Sequence, residues 1–216
     1  HPFRGNFDGN GFTISNMTIE GSYISAGLFG CINLTRIDDL FSIEPEKVAI
    51  SDLTVEGTVD VSNAVTVGGL VGIGEYMDIE NCKNKVAVTA YGKGVYGGGI
   101  GGFVFAAVMN NCFNEQAAEI LIYSGPDSDE TSSTVSCAGG LAGVAFYVAI
   151  YNSANFAPIS DSTERAQSEA GGIAAMGISA EIYNCYNTGA VTADTNETNE
   201  TNIPIAGGIC GTNGAM

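Results

Sequence analysis

A pair of landmarks recurs along this chain at one fixed spacing. The second glycine of a Gly-Gly pair lies twelve residues before an asparagine at Gly69 and Asn81, Gly99 and Asn111, Gly140 and Asn152, and Gly172 and Asn184. Repetition at a fixed period indicates a solenoid, in which each copy buries its apolar face against its neighbours. The repeat therefore constrains the fold strongly and the chemistry little.

Alignment on this asparagine reveals six copies with a period of about 30 residues. The aligned residues are Asn16, Asp52, Asn81, Asn111, Asn152 and Asn184. Two residues earlier stand Ile14, Ile50, Ile79, Met109, Ile150 and Ile182. This second position is apolar in every copy, so we expect it to face the core. Asparagine tolerates the left-handed conformation, so we expect the first position to form corners that stack into a hydrogen-bonded ladder. A second ladder is expected at Asn84, Asn114, Asn155 and Asn187.

Short alternating segments surround these landmarks. One follows each Gly-Gly pair, where Leu or Ile always comes next, one lies at the asparagine corner, and one follows it, as in Val86-Ala87-Val88-Thr89. Period-two alternation predicts three short strands per copy, with glycines supplying positive φ at a corner. The 30 glycines argue against helices. The predicted fold class is all-β, a parallel β-helix of about five to six coils.

The six cysteines form no readable disulfide pattern. One residue after the corner asparagine stand Met17, Leu53, Cys82, Cys112, Ser153 and Cys185. A position that accepts Met and Leu as well as Cys is typical of a small buried slot, where a free thiol acts as a modest hydrophobe. Two alternatives remain open from the sequence, a disulfide between stacked neighbours such as Cys82 and Cys112, and a thiolate metal site.

The copies are interrupted by insertions at 31–49, 117–137, 156–170 and 190–206. The last three lie between an asparagine corner and the next Gly-Gly pair, so we expect them to project from one side of the rod. Their carboxylates predict an acidic lateral ridge that includes Asp161, Glu164, Glu169, Asp194 and Glu197. Any binding site is expected in the loops that break the period.

One of these insertions contains a candidate metal site. Asp127, Asp129 and Glu130 bring several hard oxygen ligands together and predict a weak surface calcium site. The order of an EF-hand loop is absent, and solubility is the more common role of such loop carboxylates. We expect no other cofactor.

The charge balance excludes some partners. The net charge of −17, with only seven Lys and Arg, repels phosphate backbones and anionic membrane surfaces. The chain has no apolar run of membrane-spanning length. The final Gly-Gly unit lacks the polar cap that a solenoid end needs. We therefore expect residues 1–216 to form a single β-helix domain, an excerpt of a longer secreted multidomain protein.

The segments Gly68-Gly69-Leu70-Val71-Gly72 and Ile79-Glu80-Asn81-Cys82-Lys83-Asn84 resemble the GLUG-motif repeat of bacterial surface proteins. This resemblance implies a right-handed parallel β-helix that is secreted or exposed on the cell surface and accompanies adhesin modules. It implies no catalytic residues.

Enzymatic chemistry has little support in the sequence. Gly97, Gly99 and Gly102 match a dinucleotide fingerprint, but they belong to a repeat and no helix is expected after them. The only histidine is His1, which argues against a His-dependent triad. Asp38 and Asp39, with Glu44, are the nearest candidates for the paired carboxylates of a glycoside hydrolase.

The leading hypothesis is a non-enzymatic, adhesin-like binding platform or stalk, located outside the cell or on a bacterial surface. Its expected partners are a host protein or glycan and flanking domains of the same chain, with no nucleic acid and no membrane insertion. The alternatives are a fragment of a polysaccharide hydrolase or lyase on the same scaffold and a pure structural spacer.

Overall fold

The computed structural model describes residues 1–33, 46–125, 135–164, 167–196 and 203–214. These residues form 27 short strands and no helix. No membrane-spanning helix is present in this part of the chain. Every pairing between strands is parallel, and each strand pairs with its counterpart one repeat away. The predicted parallel β-helix is confirmed; its right-handed sense stays a prediction.

The strands follow one another in six coils. Coil 1 contains β1 (Phe7–Asp8), β2 (Thr13–Ser22), β3 (Ser25–Ala26) and β4 (Phe29–Ile32). Coil 2 contains β5 (Val48–Ser51), β6 (Thr54–Ser62), β7 (Thr66–Gly68) and β8 (Val71–Glu75). Coil 3 contains β9 (Met77–Glu80), β10 (Lys83–Gly92), β11 (Tyr96–Gly98) and β12 (Gly101–Phe105).

The later coils divide their second strand in two. Coil 4 contains β13 (Val108–Asn110), β14 (Phe113–Asn114), β15 (Ile120–Ser124), β16 (Val135–Gly139) and β17 (Ala142–Phe146). Coil 5 contains β18 (Ala149–Tyr151), β19 (Ala154–Asn155), β20 (Ile159–Thr163), β21 (Gln167–Gly171) and β22 (Ala174–Ile178). Coil 6 contains β23 (Glu181–Tyr183), β24 (Tyr186–Asn187), β25 (Val191–Thr195), β26 (Ile205–Gly207) and β27 (Cys210–Gly214).

Stacking of the coils produces four sheets. Sheet I contains β1, β5, β9, β13, β18 and β23, and the nine-stranded sheet II contains β2, β6, β10, β14, β15, β19, β20, β24 and β25. Sheet III contains β3, β7, β11, β16, β21 and β26, and sheet IV contains β4, β8, β12, β17, β22 and β27. The prediction of three walls per coil was wrong, because the Gly-Gly segment bends and divides its wall between sheets III and IV.

The glycine pairs are required for close packing and not for positive φ. None of Gly69, Gly99, Gly140 and Gly172 has a φ in the left-handed range. A Cβ atom added to Gly140 would lie 2.6 Å from the side chain of Asn155, which is closer than real Cβ atoms approach a neighbour. The equivalent atom on Gly172 would lie 2.5 Å from the side chain of Asn187. Glycine therefore recurs because the asparagine ladder occupies the space of a side chain.

The left-handed corners are formed by residues other than glycine. The predicted corner residues between sheets I and II all have positive φ: Asn16, Asp52, Asn81, Asn111, Asn152 and Asn184. A second row of left-handed residues lies between sheets IV and I: Asn33, Tyr76, Ala106, Tyr147 and Ser179. The sequence does not reveal this second row, because Tyr, Ala and Ser have no particular preference for that conformation.

The second asparagine ladder, which we call the inner ladder, consists of Asn84, Asn114, Asn155 and Asn187. Asn84 Nδ2 donates to Asn114 Oδ1 at 2.8 Å, and Asn114 and Asn155 each donate to the next coil at 2.7 Å. Asn84, Asn114 and Asn155 are fully buried. Buried amides are stable here because each is satisfied by its neighbours and by local backbone groups.

The first ladder, the outer ladder, is exposed and runs in the opposite direction. Asn81 Nδ2 donates to Asp52 Oδ1 at 3.0 Å, and Asn111 Nδ2 donates to Asn81 Oδ1 at 2.8 Å. The row breaks at coil 5, where Asn152 donates to Asn110 and not to Asn111. The predicted inner ladder is confirmed, and the outer ladder is confirmed from coil 2 onwards apart from this break. Asn16 does not join it, because the register of β2 against β6 shifts between Ile14 and Met17.

The cysteine column is a buried slot, as predicted, and all six thiols of the chain are free. Leu53, Cys82, Cys112 and Ser153 are buried in it. The Cys82 thiol donates to Glu80 O at 3.3 Å, and the Ser153 hydroxyl donates to Tyr151 O at 2.7 Å. Serine can replace cysteine in this column because both donate to the carbonyl two residues earlier.

Three thiols are expected to resist labelling in the folded protein. Burial raises the pKa of Cys82 to about 11 and holds the pKa of Cys112 and Cys137 well above the usual value. At pH 8 a disulfide reagent such as Ellman's should modify only Cys31, Cys185 and Cys210, and urea should release the other three. The Cys185→Ser variant should lower the count in the folded protein by one. Rapid modification of all six thiols without urea would contradict the buried column.

Candidate functional site

A cleft of about 980 Å³ lies along the corner between sheets II and III. Its lining comes from coils 2 to 6, because the ends of the sheet II strands and the turns that follow them stack along the rod. The contributing segments are 62–65, 91–94 with Tyr96, 123–125 with Val135, 162–164, and Asn196. The cleft runs parallel to the axis of the coils.

Two stacked tyrosines form the wall of this cleft. Tyr91 on β10 and Tyr123 on β15 are direct partners in the strand register. Their ring centroids lie 5.0 Å apart with an interplanar angle of 11°. They remain 49% and 38% exposed, respectively. Exposed aromatic rings held in a fixed position offer apolar contact area with a polar hydroxyl at one end.

Small residues lie on both sides of the tyrosine pair. The register places Ser62 beside Tyr91, because their preceding residues Val61 and Ala90 pair, and it pairs Tyr123 directly with Ser162. Lys93, Glu164, Asn63 and Asn196 add charged and amide groups to the cleft. The arrangement can therefore combine stacking with hydrogen bonds of both donor and acceptor type.

A buried polar cluster begins at the floor of the cleft. Ser124 donates to Ser136 Oγ at 3.0 Å, and Ser136 donates to Asp161 Oδ1 at 2.7 Å. The other carboxylate oxygen of Asp161 accepts from Ser168 Oγ at 2.9 Å and from the Glu169 amide at 3.0 Å. Burial raises the pKa of the Asp161 carboxyl from 3.8 to about 7, and these hydrogen bonds oppose the rise.

The predicted acidic ridge is wrong for two of its members. Asp161 has no exposed surface, and Glu169 is 3% exposed. Asp161 pairs in register with Ile122 and Ala193, so it occupies an inward position of sheet II. Glu169 accepts hydrogen bonds from Gln167 Nε2 at 2.9 Å and Thr212 Oγ1 at 2.7 Å. The ranges 117–137, 156–170 and 190–206 overlap strands β15, β16, β20, β21, β25 and β26. Strands β20 and β21 place Asp161 and Glu169 inside.

Several predicted site residues cannot be placed. The calcium candidates Asp127, Asp129 and Glu130 lie outside the described residues, and so do Asp38, Asp39, Glu44 and the ridge residue Glu197. Within the described ranges, no three His, Cys, Asp or Glu side chains are grouped to hold a metal ion. Gly97, Gly99 and Gly102 lie in β11, the following turn and β12, so the apparent dinucleotide fingerprint belongs to the scaffold.

Comparison with known families identifies one segment of the scaffold. Residues 63–89 match the family model described as the GLUG motif. The chain contains a GLUG motif. The predicted resemblance is confirmed over these residues, which run from Asn63 at the cleft to Thr89 on β10. No curated protein and no solved structure matches the chain.

The GLUG motif contributes Asn63, Ala64 and Val65 to the cleft, whereas both tyrosines lie outside the match. Sequence reasoning missed this pair because spacing does not align its members. Tyr91 comes seven residues after Asn84, and Tyr123 comes nine after Asn114. The extra residues lie between β14 and β15. There Asn114 Nδ2 donates to the carbonyl of Ala118, four residues later, and not to the carbonyl two residues later.

Proposed function

We propose that this GLUG-containing β-helix is a non-enzymatic module of a secreted or surface-exposed bacterial protein that serves as an adhesin-like binding platform. The observation that carries the proposal is the stacked, exposed pair Tyr91 and Tyr123 in the cleft between sheets II and III. Rigid aromatic residues that are exposed in a concave site are typical of binding surfaces. The expected ligand belongs to a host surface.

The enzymatic alternative finds less support in this cleft. A glycoside hydrolase needs two carboxyl groups about 5 to 10 Å apart beside the scissile bond. Among the described lining residues, Glu164 is the single carboxylate. Asp161 and Glu169 lie next to each other in the cluster below, but both are buried away from a substrate.

Adherence of coated beads tests the proposal. Beads that carry the chain should bind host cells, and the double variant Tyr91→Ala/Tyr123→Ala should lose most of this binding, because the rings supply its contact area. A matched control is Tyr183→Ala/Tyr186→Ala, which removes two exposed tyrosines from coil 6 at positions outside the cleft. This control should bind as well as the wild type.

The spacer alternative gives a different result. If beads with the wild-type chain adhere no better than uncoated beads, the chain acts as a spacer. If the wild-type chain and the double cleft variant adhere equally above that level, the cleft is not the binding surface. Circular dichroism of both variants ensures that the comparison is made between folded proteins.

A further inference from the structure

We infer that the ligand of the cleft is an uncharged oligosaccharide that lies along the rod axis, with sugar rings stacked on the outer faces of the Tyr91 and Tyr123 pair. This inference rests on the proposed function and names the chemistry of its ligand. It depends on four properties of the cleft, namely its ring geometry, its polar groups, its charge and its dimensions.

The ring geometry leaves two aromatic faces uncovered. The inner faces of Tyr91 and Tyr123 cover each other, since the rings are nearly parallel. Their outer faces point along the rod towards Ser62 on one side and Ser162 on the other. A serine side chain is too small to cover a phenol ring. The negative face of an aromatic ring attracts weakly positive C–H groups, which cover the flat side of a sugar ring.

The polar groups around these faces suit hydroxyl-rich ligands. The Ser162 hydroxyl and the Asn196 amide can donate and accept, and the Glu164 carboxylate accepts. Ser62 Oγ donates to Gly21 O at 3.4 Å and Asn63 Nδ2 donates to Ser22 Oγ at 2.9 Å, and both side chains keep an oxygen that can accept. A sugar hydroxyl also both donates and accepts. A ligand with many hydroxyl groups can therefore satisfy this mixed set, and a purely apolar ligand would leave it unpaired.

The charge selects against anionic glycans. The chain carries a net charge of −17, and within the cleft lining Lys93 and Glu164 contribute one charge of each sign. The register continues from Ser162 to Asp194, which adds a second carboxylate at that end of the row. Uronate or sulfate groups on a ligand would be repelled by this field. Among glycans, the uncharged class fits best.

The dimensions favour an oligosaccharide over a protein surface. A volume of 980 Å³ lies at the upper end of the range of about 300–1,000 Å³ that is usual for small-ligand sites. The cleft crosses five coils, and a spacing of about 4.8 Å between strands makes it about 19 Å long. A cleft of this length fits an extended chain of sugar units.

Calorimetric titration tests the inference with a panel of short uncharged oligosaccharides based on glucose, galactose, mannose and N-acetylglucosamine. At least one should bind the wild-type chain, and its uronate-containing analogue should bind more weakly. Tyr91→Ala should weaken the binding about tenfold or more because it removes a stacking face. Tyr91→Phe keeps the ring and should stay within about threefold.

A second pair of variants separates occupation of the cleft from loss of the fold. Ser162→Leu fills the space over the outer face of Tyr123 and should also weaken binding about tenfold. Ser160→Leu makes the same change two residues earlier on the same strand, outside the cleft lining, and should have little effect.

Two results would overturn the inference. One is the absence of binding by every uncharged oligosaccharide in the panel, and the other is binding that Tyr91→Ala and Ser162→Leu leave unchanged. If no sugar binds while adherence to cells still requires both tyrosines, the ligand is a protein surface; the platform then stands and the sugar assignment fails. If adherence does not require the tyrosines, the platform itself fails.

Discussion

Replacement of Asn114 by aspartate is expected to lower the free energy of unfolding by about 3–5 kcal/mol, because it leaves a buried carboxyl group without a compensating partner. Asn114 Nδ2 donates to Asn155 Oδ1 at 2.7 Å and to Ala118 O at 3.2 Å in the buried inner ladder. Aspartate has the same shape but cannot make both donations, so it places a carboxyl group against two buried acceptors. The urea midpoint, compared at an unchanged slope, measures the loss.

The same substitution three residues earlier is the matched control. Asn111 belongs to the exposed outer ladder, and Asp52 already occupies the equivalent position in coil 2, where it accepts from Asn81. Aspartate also tolerates the left-handed conformation of this corner. The Asn111→Asp variant should lose no more than about 1 kcal/mol. If the two variants lose the same free energy of unfolding, burial of the inner ladder does not determine how much it stabilises the protein.

The second large effect is a fall in stability as the pH rises from 4 to 8, which arises from Asp161. Its pKa is raised from 3.8 to about 7 in the folded protein, so the folded state holds this proton more tightly than the unfolded state. The contribution is fully present below pH 4 and is lost as the pH rises through 7. A pKa rise of this size corresponds to about 4 kcal/mol in the free energy of unfolding.

The variant Asp161→Asn isolates this contribution. Ser136, Ser168 and the Glu169 amide face the carboxyl group, and the Glu169 carboxyl nearby also has a raised pKa because of burial. Glu169 therefore shifts stability in the same direction, but it remains in both proteins. The difference in unfolding free energy between wild type and variant should change by several kcal/mol between pH 4 and 8. A difference that is constant over this range would mean that Asp161 is not buried as described.

The periodic part of the fold is predictable because identical residues must stack. In a parallel β-helix each residue lies against its counterpart one coil away, so a column of asparagines in the sequence becomes a ladder in space. The corner residues, the apolar column two positions earlier and the cysteine slot were all predicted on this basis and confirmed. The reason predicted for the glycines was wrong. A glycine that is required for close packing against Asn155 or Asn187 looks the same in the sequence as a glycine that is required for a turn.

The coil, its corners and its buried columns can be predicted from the sequence alone. The positions of the residues where the period breaks depend on how the strands pair in three dimensions. Asp161 looks like a loop carboxylate in the sequence and lies inside the coil, since its neighbours in β20 alternate around it. Tyr91 and Tyr123 stand at unequal distances from the ladder asparagines, yet strand pairing brings their rings to 5.0 Å. Repetition determines the scaffold because each coil pairs with the next. The cleft depends on how strands pair after turns of unequal length, and the spacing of residues in the sequence does not predict that pairing.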